Sequence, residues 1–323
     1  MGTMSVPRGS AEKVRPHFLG VAIAAGACCL SLFAADSASV SITPRPLPNT
    51  VLSTRTSANL RLDVKLVLVP VSVTDATDRP VITLPRDRFR VLEDGVEQAI
   101  TSFSREEGPV SMGILFDSSG SMKDRVDTSV AALREFFPTS IPGDEFFVIQ
   151  FSDQARVLAG FTPEPREIFS KLGLVQPKGW TALLDAIALG THEMRLAKNS
   201  RRVLLILSDG ADNNSRFSES EIKTMVLESD LRIYAIGLFH RPKLLQQLAD
   251  ETGGKALLVQ NLSELPEVVE KLSAEIRSHY VIGYSSNTPP NDGKYHKLKV
   301  ELIQNTPLPL RLSWRRGYYA PLE

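Results

Sequence analysis

Cysteine is nearly absent from this chain: there are two in 323 residues, side by side at Cys28 and Cys29. Both lie in an apolar N-terminal stretch where they act as small hydrophobes, so cleavage after Ala35 would leave no disulfide framework and no thiolate metal site. Net charge is also missing, with 37 Lys plus Arg against 37 Asp plus Glu and no strongly basic patch, so nothing favours nucleic acid. Three catalytic signatures are absent as well: the G-x-S-x-G elbow, the G-x-x-x-x-G-K-[ST] phosphate loop and H-E-x-x-H. Asp117 would suit a phosphoryl-transfer aspartate, but Ser119 stands where D-x-D-x-T chemistry needs a second acid.

What is present begins with a core, since 42% of the residues are hydrophobic. Arg8, Lys13 and Arg15 precede an apolar run from Phe18 to Phe33 that ends near Ala34 and Ala35, the layout of an export signal over residues 1–35. The run is short for a permanent span, so a membrane is involved only if the signal is retained as an anchor. The expected location is outside the cytoplasm: periplasmic, in the cell envelope or secreted. Residues 36–59, rich in Ser, Thr and Pro without apolar periodicity, read as an extended linker.

Residues 60–108 carry strand patterns. Leu60, Leu62, Val64, Leu66 and Leu68 alternate with other residues, then Val67, Val69, Val71 and Val73 alternate in the opposite phase, which predicts a bulge or a change of face, with Pro70 on an edge. Glu93, Asp94 and Gly95 form a hairpin turn. Asp75, Asp78 and Asp94 are isolated turn acids that satisfy local backbone better than they would hold calcium. Over residues 109–278 short apolar runs (Val110 to Phe116, Glu145 to Phe151, Arg202 to Leu207, Ile233 to Phe239, Ala256 to Val259) alternate with helical stripes. Val126, Val130, Leu133 and Phe137 form one stripe; Leu184, Ile187, Thr191 and Met194 a second; Leu265, Val269, Leu272 and Ile276 a third. Strands alternating with helices give an α/β, doubly wound, Rossmann-like domain with a central, mostly parallel sheet. In such a sheet ligands collect outside the carboxyl ends of the strands.

The chemistry gathers there. Asp117 ends the first buried run, and Ser119 and Ser121 follow at every second position around Gly120. Thr181 stands where a loop becomes a helix, and Asp209 at the end of another run. Each alone is an ordinary turn or cap residue; together they are an all-oxygen set for a hard divalent cation, Mg2+ with Mn2+ able to substitute. Two formal negative charges leave much of the ion's coordination to water, and an incoming carboxylate can replace one water. Trp180 and Asp212, beside Thr181 and Asp209, are candidates for touching a partner.

DSSGS at 117–121, with Thr181 and Asp209, resembles the D-x-S-x-S, threonine and aspartate of the metal-ion-dependent adhesion site of von Willebrand factor type A domains. The resemblance implies that Ser119, Ser121 and Thr181 touch the metal directly or nearly so, while Asp117 and Asp209 act through water or orient the hydroxyls. The flanks, VSVTDATDRPVITLPRDRFRVLEDGVEQAITSF before and HYVIGYSS, KYHKLKVELI and RRGYYAP after, look like a bacterial type A-related family described from Acidobacteria. They imply that residues 60–108 and the C-terminal strands of 279–323 form one small β-sandwich-like unit into which the type A domain is inserted. The expected function is adhesion-type binding, without enzymatic activity, of a protein partner's Asp or Glu through the metal. A structural scaffold of an envelope complex is the alternative, and a metal-dependent hydrolase a more distant one.

Overall fold

The computed structural model describes residues 66–240, 243–286, 292–303 and 309–320. The export signal, the linker and Leu60, Leu62 and Val64 lie outside the described residues.

Val67, Val69, Val71 and Val73 all point into one apolar core from strand β1 (Leu66–Thr74), while Leu66 and Leu68 are about half exposed on its outer face. The alternation of a strand therefore continues unbroken, and the expected bulge in β1 is absent because the two leucines belong to the other face. The chain continues through β2 (Phe89–Glu93), β3 (Val96–Gln98) and β4 (Ile100–Glu106). Glu93 pairs with Val96 across a two-residue turn in which Asp94 has φ 49° and Gly95 φ 85°, the positive values such a hairpin needs. Asp75 spends one oxygen on Thr77 N, Thr77 Oγ1 and Arg79 N, at 2.7, 2.7 and 3.0 Å, and so serves its own turn.

The inserted domain runs through β5 (Val110–Asp117), α1 (Val126–Arg134), β6 (Glu145–Phe151), β7 (Ala155–Thr162), α2 (Pro165–Leu172), α3 (Leu183–Glu193), β8 (Arg201–Ser208), α4 (Glu219–Glu228), β9 (Arg232–Leu238), α5 (Lys243–Thr252), β10 (Lys255–Val259) and α6 (Leu265–Arg277). Its six strands lie in the order β10-β9-β8-β5-β6-β7, parallel except for β7. Every residue of β5 is buried: Met112, Ile114 and Phe116 face the core under α1 and α6, and Leu115 faces the one under α3, α4 and α5. A parallel strand covered on both faces has to be apolar at successive positions, which is why its run in the sequence is continuous. All three helical stripes are buried as expected, although Phe137 lies beyond α1 and Met194 beyond α3, each in a short 3-10 turn.

The chain returns through β11 (His279–Ser285), β12 (Tyr295–Leu302), β13 (Arg311–Trp314) and β14 (Gly317–Tyr319). Two four-stranded sheets result, β13-β1-β11-β4 and β14-β12-β2-β3, which share one core. This is the expected sandwich-like unit made by both flanks. The one register shift in the first sheet falls between Gly283 and Tyr284, opposite β4. β1 is interior, not an edge: Pro70 pairs with Val281 of β11, while β13 covers the strand only from Val71 to Thr74.

Entry to and exit from the inserted domain are adjacent, since His279 pairs with Glu106. Arg201 joins them: its guanidinium donates to Gly108 O and, at 2.6 Å, to Ile276 O, and lies 3.2 Å from His279 Nδ1. Arg315 and Arg316 tie the C-terminal strands to the inserted domain. Arg315 pairs with Asp230 at 2.8 Å, and Arg316 N donates to Glu251 O at 2.9 Å while its guanidinium stacks 3.8 Å over Trp314.

Candidate metal centre

The chain passes from β5 to β6 on one side, then crosses to β8 on the other, so the strand order reverses between β5 and β8. Loops leaving neighbouring strands in opposite directions open a crevice at such a point. Asp117 ends β5 and Asp209 follows β8, so the topology sets them at the two lips of that crevice.

Asp117 is fully buried and both its oxygens are held: Ser119 N donates to Oδ1 at 2.8 Å and Ser208 Oγ to Oδ2 at 2.5 Å. Burial holds its carboxyl above the usual carboxylate range, and Asp209 pushes the same way, against the hydrogen bonds from Ser208 and Ser119. Ser119 Oγ and Ser121 Oγ stand 3.0 Å apart, and Ser121 Oγ donates to Asp209 Oδ1 at 2.8 Å. The other Asp209 oxygen accepts from Arg125, whose guanidinium lies 4.4 Å over the ring of Phe239, a residue with φ 66°.

Thr181 comes in from a third loop. Thr181 N donates to Asn213 Oδ1 at 2.7 Å, and Thr181 O accepts from Asn213 N and Asn214 N at 3.0 and 3.2 Å. Its Oγ1 would lie 3.9 Å from a Cβ placed on Gly210, next to Asp209. The same loop is tied to the serine turn, since Gly120 N donates to Gly179 O at 3.0 Å and Lys178 N to Ser118 O at 2.9 Å. Asp153 secures it from the β6 side: Trp180 N donates to Asp153 Oδ1 at 2.8 Å and Asn214 Nδ2 to Asp153 O at 2.9 Å. Gly179 is obligatory, with φ 80° and the Asp153 carboxylate 2.4 Å from where a Cβ would sit.

All five residues singled out in the sequence thus border one crevice. Of the two beside them, Trp180 is 64% exposed at the rim. Asp212 has a local role: its Oδ1 accepts from Leu184 N at the start of α3 at 3.1 Å and from Ser215 Oγ at 2.5 Å. Sequence reasoning passed over Ser208, Arg125 and Asp153. Of these only Ser208 carried a signal, as the last residue of an apolar run ending beside Asp209.

The donor set fits a hard cation. Neighbouring ligands around an octahedral ion with bonds of 2.0–2.1 Å are about 3 Å apart, and the Ser119–Ser121 and Ser121–Asp209 separations are 3.0 and 2.8 Å. Among the described residues no group of three or more His, Cys, Asp or Glu side chains could hold a metal, so a cation here would rest on hydroxyls and two acids.

Residues 112–211 match the family model of the von Willebrand factor type A domain. Among solved structures, proximal thread matrix protein 1 from the mussel byssus is 18% identical with a TM-score of 0.50, over 57% of this chain and 51% of that one, so this chain spans about half its length. A von Willebrand factor type A structure from Catenulispora acidiphila is 14% identical over 81% of this chain and 75% of that one, with a TM-score of 0.47. A further structure of the mussel protein, with a zinc-occupied adhesion-site motif, is 19% identical over 58% and 50%, with a TM-score of 0.47. A search of curated proteins found no match. With the matched residues spanning β5 to β8, and with them DSSGS, Thr181 and Asp209, this chain carries a von Willebrand factor type A domain.

Proposed function

We propose that this protein is an exported binding module that captures an acidic side chain of a protein partner through Mg2+, with Mn2+ able to replace it. Ser119, Ser121 and Thr181 would hold the ion by their hydroxyl oxygens, with Asp117 and Asp209 orienting them or acting through water. The ion supplies an electrophilic position that a carboxylate oxygen can take from water. Asp117, kept neutral more readily than a surface acid, gains a counter-charge when the cation enters. Trp180 offers the partner an exposed aromatic beside that position. The reading rests on one observation: Ser121 of the DSSGS turn bonds Asp209 at the switch point of the sheet, and the loop that carries Thr181 is hydrogen-bonded to both of their loops.

Calorimetric titration with Mg2+ and Mn2+ tests the metal, and affinity capture from an envelope extract in Mg2+ or in EDTA tests the partner. Capture that depends on Mg2+ and is lost in a folded Asp117→Ala variant is expected. Capture unaffected by EDTA and by that variant would overturn adhesion, and turnover of a generic ester or phosphate ester lost in Asp117→Ala would overturn the non-enzymatic reading.

A further inference from the structure

The opposite end of the same sheet is also chemically unusual. The amino ends of β8 and β9 enter a cavity of about 160 Å3, lined also by Leu68 of β1 and Val281 of β11. Arg201, Arg202 and Arg232 line it. Val203 pairs with Arg232, so these arginines start neighbouring strands, which lie about 4.8 Å apart. Side-chain alternation sends Arg201 and Arg232 to one face and Arg202 to the other, so the cavity wraps around the end of the sheet.

Three guanidiniums this close repel one another unless something of opposite charge joins them. Most acids nearby are engaged elsewhere, Asp230 with Arg315 at 2.8 Å and Glu251 with Lys223 at 2.6 Å, and Glu275, paired with Lys255 at 3.3 Å, offsets part of the field at Arg232. Glu106 lies 3.8 Å from His279 Nε2 and offsets part of the field at Arg201. Among the described residues, none of the three arginines forms an ion pair with a carboxylate. Arg201 spends its donors on Gly108 O and Ile276 O, whereas Arg202 Nε and Arg232 Nη2 are buried without a hydrogen-bond partner. Tyr234 is fully buried and lines the same cavity, its hydroxyl beside Arg232 and Ser72. Buried donors left unpaired are rare in native proteins, and here two, both on guanidiniums, border one space. The local field is plain at His279, where burial, with Arg232 and Arg201 adding to it, holds the imidazole down to about 2.

We propose that this cavity binds a small tetrahedral oxyanion, of the phosphate or sulfate class, at the end of the sheet through the guanidiniums of Arg202 and Arg232. Guanidinium forks match oxyanion edges in pairs of hydrogen bonds. The volume admits an ion larger than a water molecule. Because the walls come from both the type A domain and the sandwich-like unit, the anion would hold the two together. This inference is independent of the metal reading.

The test is thermal unfolding of the full chain in EDTA, with sodium phosphate, sodium sulfate or sodium chloride at matched ionic strength. Phosphate and sulfate should raise Tm saturably above chloride. In the Arg202→Gln/Arg232→Gln variant the concentration giving half of that rise should increase at least tenfold. Phosphorus NMR line broadening of inorganic phosphate provides a reading without unfolding, and the Arg202→Lys/Arg232→Lys variant keeps the charge should the glutamines prevent folding. It should bind several-fold more weakly than the parent. Identical curves in phosphate and chloride, no line broadening with the parent chain, or undiminished affinity in a folded variant would each overturn the proposal.

Discussion

At the carboxyl ends of β5 and β8, Asp117, Asp209 and the hydroxyls of Ser119, Ser121 and Thr181 share a crevice with one guanidinium, that of Arg125; at the amino ends of β8 and β9, three guanidiniums share a cavity and pair with no carboxylate. The first group holds two carboxylates against one guanidinium, the second three guanidiniums without an ion pair among the described residues. The carboxyl-end crevice is closed by loops of the type A domain alone, tied to each other through Gly179, Asp153 and Asn213. The amino-end cavity needs β1 and β11 as walls. A site built from a domain's own loops is as rigid as that domain, whereas a site at a junction reports whether the junction is closed.

The largest effect that can break this contrast is Asp209→Ala. It should weaken Mg2+ binding by at least about 100-fold, or roughly 2.7 kcal/mol, by calorimetry, and leave the phosphate-dependent Tm rise as it is. Loss of both responses would mean that the two ends are not separate.

A slightly smaller effect comes from pH at the junction. His279 is depressed to about 2 in the folded chain from an ordinary 6.5, by burial first and then by Arg232 and Arg201. Above 6.5 the imidazole is neutral folded or unfolded, so it adds no pH dependence. As pH falls below 6.5 the unfolded chain takes up a proton that the folded chain refuses, and stability is lost at up to about 1.4 kcal/mol per pH unit. Urea midpoints between pH 7 and 5 should show this slope, and a folded His279→Leu variant should flatten it. An equal slope in the variant would place the titration elsewhere.

Arg125→Gln sharpens the carboxyl-end half of the comparison. Removing the Arg125 charge that pairs with Asp209 should tighten Mg2+ binding several-fold, about 1 kcal/mol for a partly solvated charge. Weaker binding in that variant would show that Arg125 orients Asp209 for the metal instead of competing with it. The smallest effect is that of Trp180→Ala on the fold: a rim residue 64% exposed should change stability by no more than about 0.5 kcal/mol and leave Mg2+ affinity unchanged, while partner capture falls.

Much of the architecture was legible in the residues. The five parallel strands announced themselves because both faces are covered, which makes the sequence apolar at successive positions. Strand β7, ARVLAGFT, did not: it lies antiparallel at the edge, its pairing with β6 slips twice, and its residues are buried only in part. Helix α4 also went unread, because only Ile222 and Val226 of its stripe are buried, although Ser218 and Glu221 form a capping box that marks its start. In β1 the two leucines misled, because alternation shows which residues share a face and not which face meets the core.

By itself the sequence determined the alternation of strands and helices, the doubly wound class and the identity of the oxygen donors, since these depend on local periodicity and on side-chain chemistry. Only the tertiary structure decided that Ser121 reaches Asp209 across 88 positions, that Arg125 pairs with the same carboxylate, and that arginines at two strand starts face one cavity. Those relations depend on strand order, and strand order is set by how the whole chain buries its apolar faces.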